Sequence, residues 1–392
     1  MRLAVPPRTE DRMSNPLHKA LAALAACMLA GAVRAEDASA VEFSGSGFLS
    51  VVAGKVLGGT HDPATDLGYR CPCFISDYAQ NSVYESGRVR LLPDSRLGLQ
   101  GTAATQGGRY ALTGQVVSRG SDQGRPELEW AYATAELNSE WTLQVGRKRL
   151  PLFISSEVQD VGYALPWVHL PPQLYGWEIV NYNGVNLSWR KPLGDWLATV
   201  NLLGGSETAR DSDYWHIYNG KHSRTDARWR DIAGAEAKVT RDWFDLRLVY
   251  ITSLTQNRIV SAGETEYSAP ARQRIHGLSL NADDGRWVAR AEFLYIDRRT
   301  DYGFDHAQLL AAGYRFGNWL PLLSYARYRQ TVPAAPDTAE GHDTWSAVLR
   351  YEWSHSSALK VQLDWWRDRV APAFGSMHGD ARLISVAYDR VF

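Results

Sequence analysis

From residue 43 to the C-terminus this chain repeats one unit, about ten residues in which apolar and polar side chains alternate, with almost no helical periodicity in between. Period two means strands, and about ten residues is the length with which a tilted strand crosses a bilayer. About sixteen such units start near Phe43, Arg96, Arg109, Leu128, Trp141, Gly184, Trp196, Ile232, Phe244, Arg274, Trp287, Ala307, Trp319, Trp345, Ala358 and Arg382, an even number, as bacterial single-chain barrels require. Mean hydropathy points elsewhere, at -0.32 with 22% of residues charged. Beyond the N-terminal region no stretch approaches the roughly 20 apolar residues of a spanning helix. Residence in a membrane would therefore be by β-barrel.

A soluble sandwich also alternates, and three features separate it from a barrel. Short links (Asn138-Ser139-Glu140, Pro192 to Asp195, Arg241-Asp242, Asp283 to Arg286, Gly317-Asn318) interleave strictly with longer ones, as tight turns on one side of a membrane and loops on the other. Trp141, Trp196, Trp243, Trp287 and Trp319 each follow one of those short turns. Indole favours the membrane interface, so this set reads as one aromatic girdle, with Trp130, Tyr250, Tyr295 and Trp365 placed for the opposite one. The faces also differ: Leu359, Val361, Leu363 and Trp365 alternate with Lys360, Gln362 and Asp364. Charges in mid-strand need water, which the lumen of a barrel of about sixteen strands supplies.

The N-terminus reads as an export leader over residues 1–35, with the start at Met1 or Met13. Lys19 precedes an apolar run from Ala20 to Val33, and small residues allow cleavage after Ala35 or Ala40. A short segment, 36–42, then leads into a barrel over 43–392. Leu24-Ala25-Ala26-Cys27 fits a lipidation box, but apolar residues continue beyond it. Without residues 1–35, which hold five basic and two acidic side chains, 37 basic residues face 41 acidic ones, a balance that argues against nucleic acid. Cys71 and Cys73 then remain, as a disulfide or as free thiols, since a C-x-C ring is strained. His61 and Asp62 lie nearby, but the set lacks the spacing of four metal ligands, and no metal or other cofactor is expected.

The chain ends Leu383-Ile384-Ser385-Val386-Ala387-Tyr388-Asp389-Arg390-Val391-Phe392, with a terminal aromatic and apolar residues at alternate positions. This resembles the C-terminal strand signature of outer-membrane barrels, with Arg390 departing from the usual aromatic. The resemblance implies that Tyr388 and Phe392 form an assembly signal read by the barrel-assembly machinery. Strand number and loop order across the mature chain resemble the Gram-negative porin superfamily. Gly162-Tyr163-Ala164-Leu165-Pro166-Trp167 and Cys71-Pro72-Cys73-Phe74 look like a poorly characterised subgroup of it, to which no substrate attaches. The implied protein is an all-β, antiparallel up-and-down transmembrane barrel in the bacterial outer membrane, among lipid and lipopolysaccharide. It would be a homotrimer with an inward-folded third extracellular loop, passing small hydrophilic solutes or ions. A substrate-selective channel, or a receptor or adhesin with a closed lumen, stands as the alternative.

The longest interruption, Leu150 to Asn183, is rich in proline and aromatics and falls at that third loop. By resemblance it constricts the pore, carrying Glu157 and Asp160. Arg96, Arg119, Lys148 and Arg149 have the inward parity to face it, where opposed charges would set a transverse field. Ordinary ion pairs of the wall are the alternative for the same residues. Arg190, Arg290, Arg350 and Lys360 extend a basic lumen wall, among enough carboxylates to leave only a weak anion preference. The stretch Ser206 to Arg230 mixes aromatics with cations and reads as an exposed, variable loop. With no G-x-S-x-G, H-E-x-x-H or P-loop, no enzyme activity is expected.

Overall fold

The computed structural model describes residues 41–60, 66–261, 263–299, 302–371 and 379–392. The leader and most of the following short segment lie outside the described residues, as do His61 and Asp62. In chain order the strands are β1 (Val41–Gly59), β2 (Phe74–Asp77), β3 (Ser82–Tyr84), β4 (Arg96–Thr105), β5 (Tyr110–Arg119), β6 (Pro126–Glu136), β7 (Trp141–Arg149), β8 (Asn181–Leu193), β9 (Trp196–Ala209) and β10 (Arg224–Arg241). They continue with β11 (Phe244–Ser261), β12 (Glu264–Tyr267), β13 (Ala271–Asp283), β14 (Trp287–Asp297), β15 (Phe304–Tyr314), β16 (Trp319–Thr331), β17 (Gly341–Ser354), β18 (Ser357–Asp368) and β19 (Ala381–Val391).

Sixteen of these close into one antiparallel ring, each paired with its sequence neighbour. β2 and β3 form a separate hairpin, and β12 pairs only with β11. β1 closes the ring by pairing with β4 through Val41–Ser50 and with β19 through Phe48–Gly59. The C-terminus seals this seam, with Gly47 and Phe392 exchanging backbone hydrogen bonds of 2.7 and 2.9 Å. Among the described residues closure leaves the ring no edge strand, the condition for a sheet in hydrocarbon. The sixteen sequence repeats correspond one to one to the ring strands, β1 starting two residues before Phe43. β2, β3 and β12, at three or four residues, are too short to carry a period.

Side chains alternate between two faces all round the ring. Outward positions are exposed and apolar: Leu97, Leu99, Leu112, Val145, Leu202, Leu248, Phe293, Leu323, Leu349 and Val361. Trp196, Trp243, Trp287 and Trp319 are exposed beside the short turns, and Trp141 is half-buried at the same end. Neighbouring aromatics extend the belt, with Trp287 against Tyr314 at 4.8 Å and Trp319 against Tyr351 at 4.6 Å. At the other end Tyr250 and Trp365 are exposed, but Trp130 turns inward and donates to Gln100 Oε1 at 3.1 Å. The cause is local. The β5–β6 register shifts between Gln115/Val116, so that Glu129 is the extra residue of a bulge, and parity inverts beyond it.

Candidate functional site: the lumen and the loop between β7 and β8

The loop from Leu150 to Val180 is closed at its base by Leu150 N–H donating to Val180 O at 2.8 Å. Between these ends come 3-10 turns at Ser156–Val158 and Gly162–Ala164, and a helical turn, Pro172–Tyr175, whose leading proline is pre-set for a helix start. Its apolar residues do not face water. Leu165, Trp167, Leu170, Leu174, Tyr175, Trp177 and Ile179 pack in one cluster with inward-facing Val249, Ile251, Ile275, Leu294, Ile296, Leu309, Leu320, Leu322 and Val348. A dry core thus lines the ring from β11 to β17, where the sequence led us to expect water and charge throughout. The signal was present in part: inward positions such as Val249, Ile251, Leu294, Ile296, Leu309, Leu320 and Leu322 are apolar, opposite an apolar loop, although charges such as Arg247 and Arg290 stand among them.

Polar tethers fix the loop to the same wall. Trp167 Nε1 donates to Ser324 Oγ at 3.0 Å, Val168 N to Gln362 Oε1 at 2.8 Å, and Gln173 Nε2 to Thr344 Oγ1 at 2.6 Å. Arg350 donates to the carbonyls of Tyr163 and Leu165 at 2.6 and 2.7 Å. Lys360, fully buried, donates to the carbonyls of Gly162 and Trp167 at 2.6 and 2.9 Å and pairs with Asp389 at 2.8 Å. Arg290 lies over the Trp167 ring at 5.4 Å. Gly162 is needed where the loop meets the seam, because a Cβ there would fall 2.1 Å from Asp389 Oδ1 and 2.4 Å from Ser50 Oγ. Of the four basic residues expected to line a wet wall, Arg290, Arg350 and Lys360 therefore hold the loop. Only Arg190 borders open space.

On the opposite side Asp160 draws three predicted residues together. Arg149 Nη2 lies 2.5 Å from its carboxylate, Arg119 Nη2 2.8 Å and Arg96 Nη1 3.5 Å. Glu129, missed because the bulge reverses its parity, takes Arg149 at 3.0 Å, Arg119, and Asn181 Nδ2 at 2.9 Å. Burial alone would raise the Asp160 carboxyl, but Arg119, Arg149 and Arg96 outweigh it and hold the group well below the usual carboxylate range. Arg96, Arg119, Arg149 and Asp160 are thus in direct contact rather than opposed across an opening. Glu157 does not join them and is exposed, and Lys148 lies 5.0 Å over the Tyr132 ring.

A third anchor escaped the sequence reading. His169 sits between Asp364 Oδ2 at 3.2 Å and Asp94 Oδ2 at 3.4 Å. Burial would lower its pKa, but the two carboxylates raise it to about 10, so the ring is an imidazolium at neutral pH. Asp94 also accepts from Ser76 Oγ at 2.8 Å and the Tyr84 hydroxyl at 2.9 Å, which ties the β2–β3 hairpin to the loop. Cys71 and Cys73 are disulfide-bonded just before this hairpin. The Ser206–Arg230 stretch is also less exposed than expected. It contains a helix, Asp213–Asn219, with Ile217 and Trp229 buried, and Trp215 and Trp229 both donate to Glu178 at 2.7 Å.

What the loop leaves open is a polar cavity of about 1200 Å³ against β4 to β11, reaching down to Ser356 and Phe392 at the turn end. Its charged lining includes Lys148, Glu157, Arg190, Glu236, Lys238 and Arg247, with Gln100, Gln115, Gln144, Asn186 and Asn201 between them. Glu236, Lys238 and Arg247 follow the same inward parity as the expected residues. Tyr388 is half-buried on β19, and Phe392 is exposed at the seam.

No protein-family model and no curated protein matches this chain. Solved structures do. The outer membrane channel DcaP of Acinetobacter baumannii superposes with a TM-score of 0.56 at 11% identity, over 92% of this chain and 99% of that one. OmpF of Salmonella typhi, solved with daunomycin, gives 0.54 at 12% identity, over 89% of this chain and 97% of that one. The anion-selective porin from Comamonas acidovorans gives 0.52 at 14% identity, over 90% of this chain and all of that one. At such identities the likeness is one of fold. The chain has the porin fold, a closed sixteen-stranded antiparallel barrel of the outer-membrane type.

Proposed function

We propose that this protein is a channel of the bacterial outer membrane through which small hydrophilic solutes diffuse passively, and that it is not an enzyme. The loop from Leu150 to Val180 crosses the lumen and narrows it, leaving a one-sided path along β4 to β11. The observation that carries this reading is the polar cavity of about 1200 Å³ beside a loop bonded to the opposite inner wall. A barrel that only displays loops has no need of a lumen lined by charges and amides. Lys148 and Glu157 flank the passage and take the role of the constriction pair. Arg96, Arg119, Arg149 and Asp160 hold the loop in place.

Swelling of liposomes containing the folded protein, in solutes of graded size, tests this. Small sugars and amino acids are expected to enter, with a cutoff that rises when Trp167 is replaced by alanine. Liposomes impermeable to all of them would favour a receptor or adhesin with a closed lumen.

A further inference from the structure

We propose that the Cys71–Cys73 pair is a thiol-exchange site, opened by small anionic thiols and closed again while the barrel stays folded. The pair does not border the polar cavity, and its chemistry does not depend on the protein being a channel. A disulfide stabilises chiefly by restricting the unfolded chain, and least when the loop it closes is shortest. Here Pro72 alone separates the two cysteines. The segments on either side are held without the bond. Ser86 N donates to Arg70 O at 2.9 Å, Ser86 Oγ to Cys71 O at 3.4 Å, and Arg70 N to Glu85 Oε1 at 3.0 Å. After Cys73 the chain enters β2, where Phe74 pairs with Tyr84 of β3. Ser76 and Tyr84 fix that hairpin to Asp94, and Phe74 packs against the His169 ring at 5.4 Å and the Trp366 ring at 5.8 Å. None of these contacts runs through the sulfurs, so what the pair adds is chemistry rather than hold.

Position and charge select the reactant. Cys71, Pro72 and Cys73 are half-buried, whereas Phe74, Ile75 and Ser76 after them are buried, so the chain reaches the surface at the pair and then turns inward. Tyr214, Tyr218 and Trp366 crowd the same apolar cluster as the two cysteines, which leaves room for a small thiol and none for a folded partner. Arg70, next to Cys71, is exposed. Glu85 is shared by Arg90 at 2.7 Å and Lys221 at 3.0 Å, and the Lys221 ammonium lies 4.3 Å over the Tyr69 ring. Two cations on one carboxylate leave a positive excess, to which Arg70 adds. Neighbouring cations stabilise a thiolate, both the one that attacks and the one that leaves. They also draw in a thiol that carries carboxylates.

The exchange has two steps. A thiolate attacks one sulfur of the pair, the new S–S bond forms as the old one breaks, and the other cysteine leaves as a thiolate that takes up a proton. A second small thiolate then attacks the mixed disulfide and leaves as the small disulfide, freeing the second cysteine. Two thiols thus give up two electrons and two protons, and the pair receives them as two cysteine thiols. The reverse sequence, starting from the small disulfide, closes the bond again.

The test exposes the detergent-folded protein to glutathione, an anionic thiol, or to cysteamine, a cationic one, followed by alkylation and mass measurement. Each rate is divided by the rate on the urea-unfolded chain. Both cysteines are expected to become alkylated, with the corrected rate for glutathione at least tenfold above that for cysteamine. Oxidised glutathione should restore the bond, and the heat-dependent gel mobility of the barrel should not change in either direction. Arg70→Gln with Lys221→Gln should abolish the preference between the two thiols while reduction still proceeds. A pair that stays oxidised in the folded protein, under glutathione that reduces the unfolded chain, would overturn the proposal. So would loss of the folded band on reduction, which would make the bond a staple, or equal corrected rates for the two thiols.

Discussion

Asp160 is the residue on which the loop's attachment to the β4–β7 side turns. Replacing it with asparagine leaves Arg96 without its carboxylate, Arg149 with Glu129 alone and Arg119 with Glu129 and Glu127, and stranding a buried charge costs about 3–5 kcal/mol. The urea midpoint of the folded band should fall accordingly for Asp160→Asn. A loss below about 0.5 kcal/mol, as for a surface substitution, would contradict this. The pairs also predict how stability follows pH. The Asp160 carboxyl is depressed, so its contribution is complete above the unfolded carboxylate value of about 4 and is lost as pH falls through the folded value. The stability gap between wild type and Asp160→Asn should hold from pH 7 to about 5 and shrink only in stronger acid. His169 has the opposite sign. Its pKa is raised to about 10, so its contribution is full below the unfolded value and disappears as pH rises through the folded one. The gap between wild type and His169→Gln, measured by the same titration, should be largest near pH 6 and close toward pH 10. A gap independent of pH would remove the imidazolium from the account.

Among the elements, the loop between β7 and β8 is held as part of the barrel, because its apolar side chains share one core with the inner wall. Trp167 lies in that core and donates to Ser324. Removing a buried indole costs about 3–5 kcal/mol. Trp167→Ala should therefore lower the thermal midpoint and, by loosening the loop, raise single-channel conductance. Unchanged conductance would mean that the loop does not narrow the path. The strands themselves were legible in the sequence, since alternation over about ten residues survives whatever each face touches. The loop's position was legible too, from its length, prolines and aromatics. Its packing was not, because the charged inward positions Arg290, Arg350 and Lys360 were read as facing water, and a charge looks the same in sequence whether it meets solvent or a loop carbonyl. Glu129 and Trp130 were misplaced for another reason. A bulge reverses parity and leaves no mark on composition.

At the scale of the molecule, the barrel divides into a dry half, where the loop seals β11 to β17, and a wet half along β4 to β11. On the proposed reading the predicted charges divide likewise: those touching Asp160 or loop carbonyls hold the loop, Arg149 doing so from the edge of the cavity, and Lys148, Glu157 and Arg190, which border the cavity, are placed to act on solutes. Lys148→Glu should shift the reversal potential in a salt gradient toward cations, and Glu157→Gln should shift it toward anions. Arg290→Gln should leave selectivity unchanged. Equal shifts from all three would mean that the lumen is wet throughout and the division is wrong.

The most direct measurement is the current across a planar bilayer holding the refolded protein, its folding verified by heat-dependent gel mobility. The account predicts discrete, ohmic steps that grow in Trp167→Ala and change ion preference in Lys148→Glu. Correctly folded barrels that stay electrically silent, in the wild type and in Trp167→Ala alike, would contradict it.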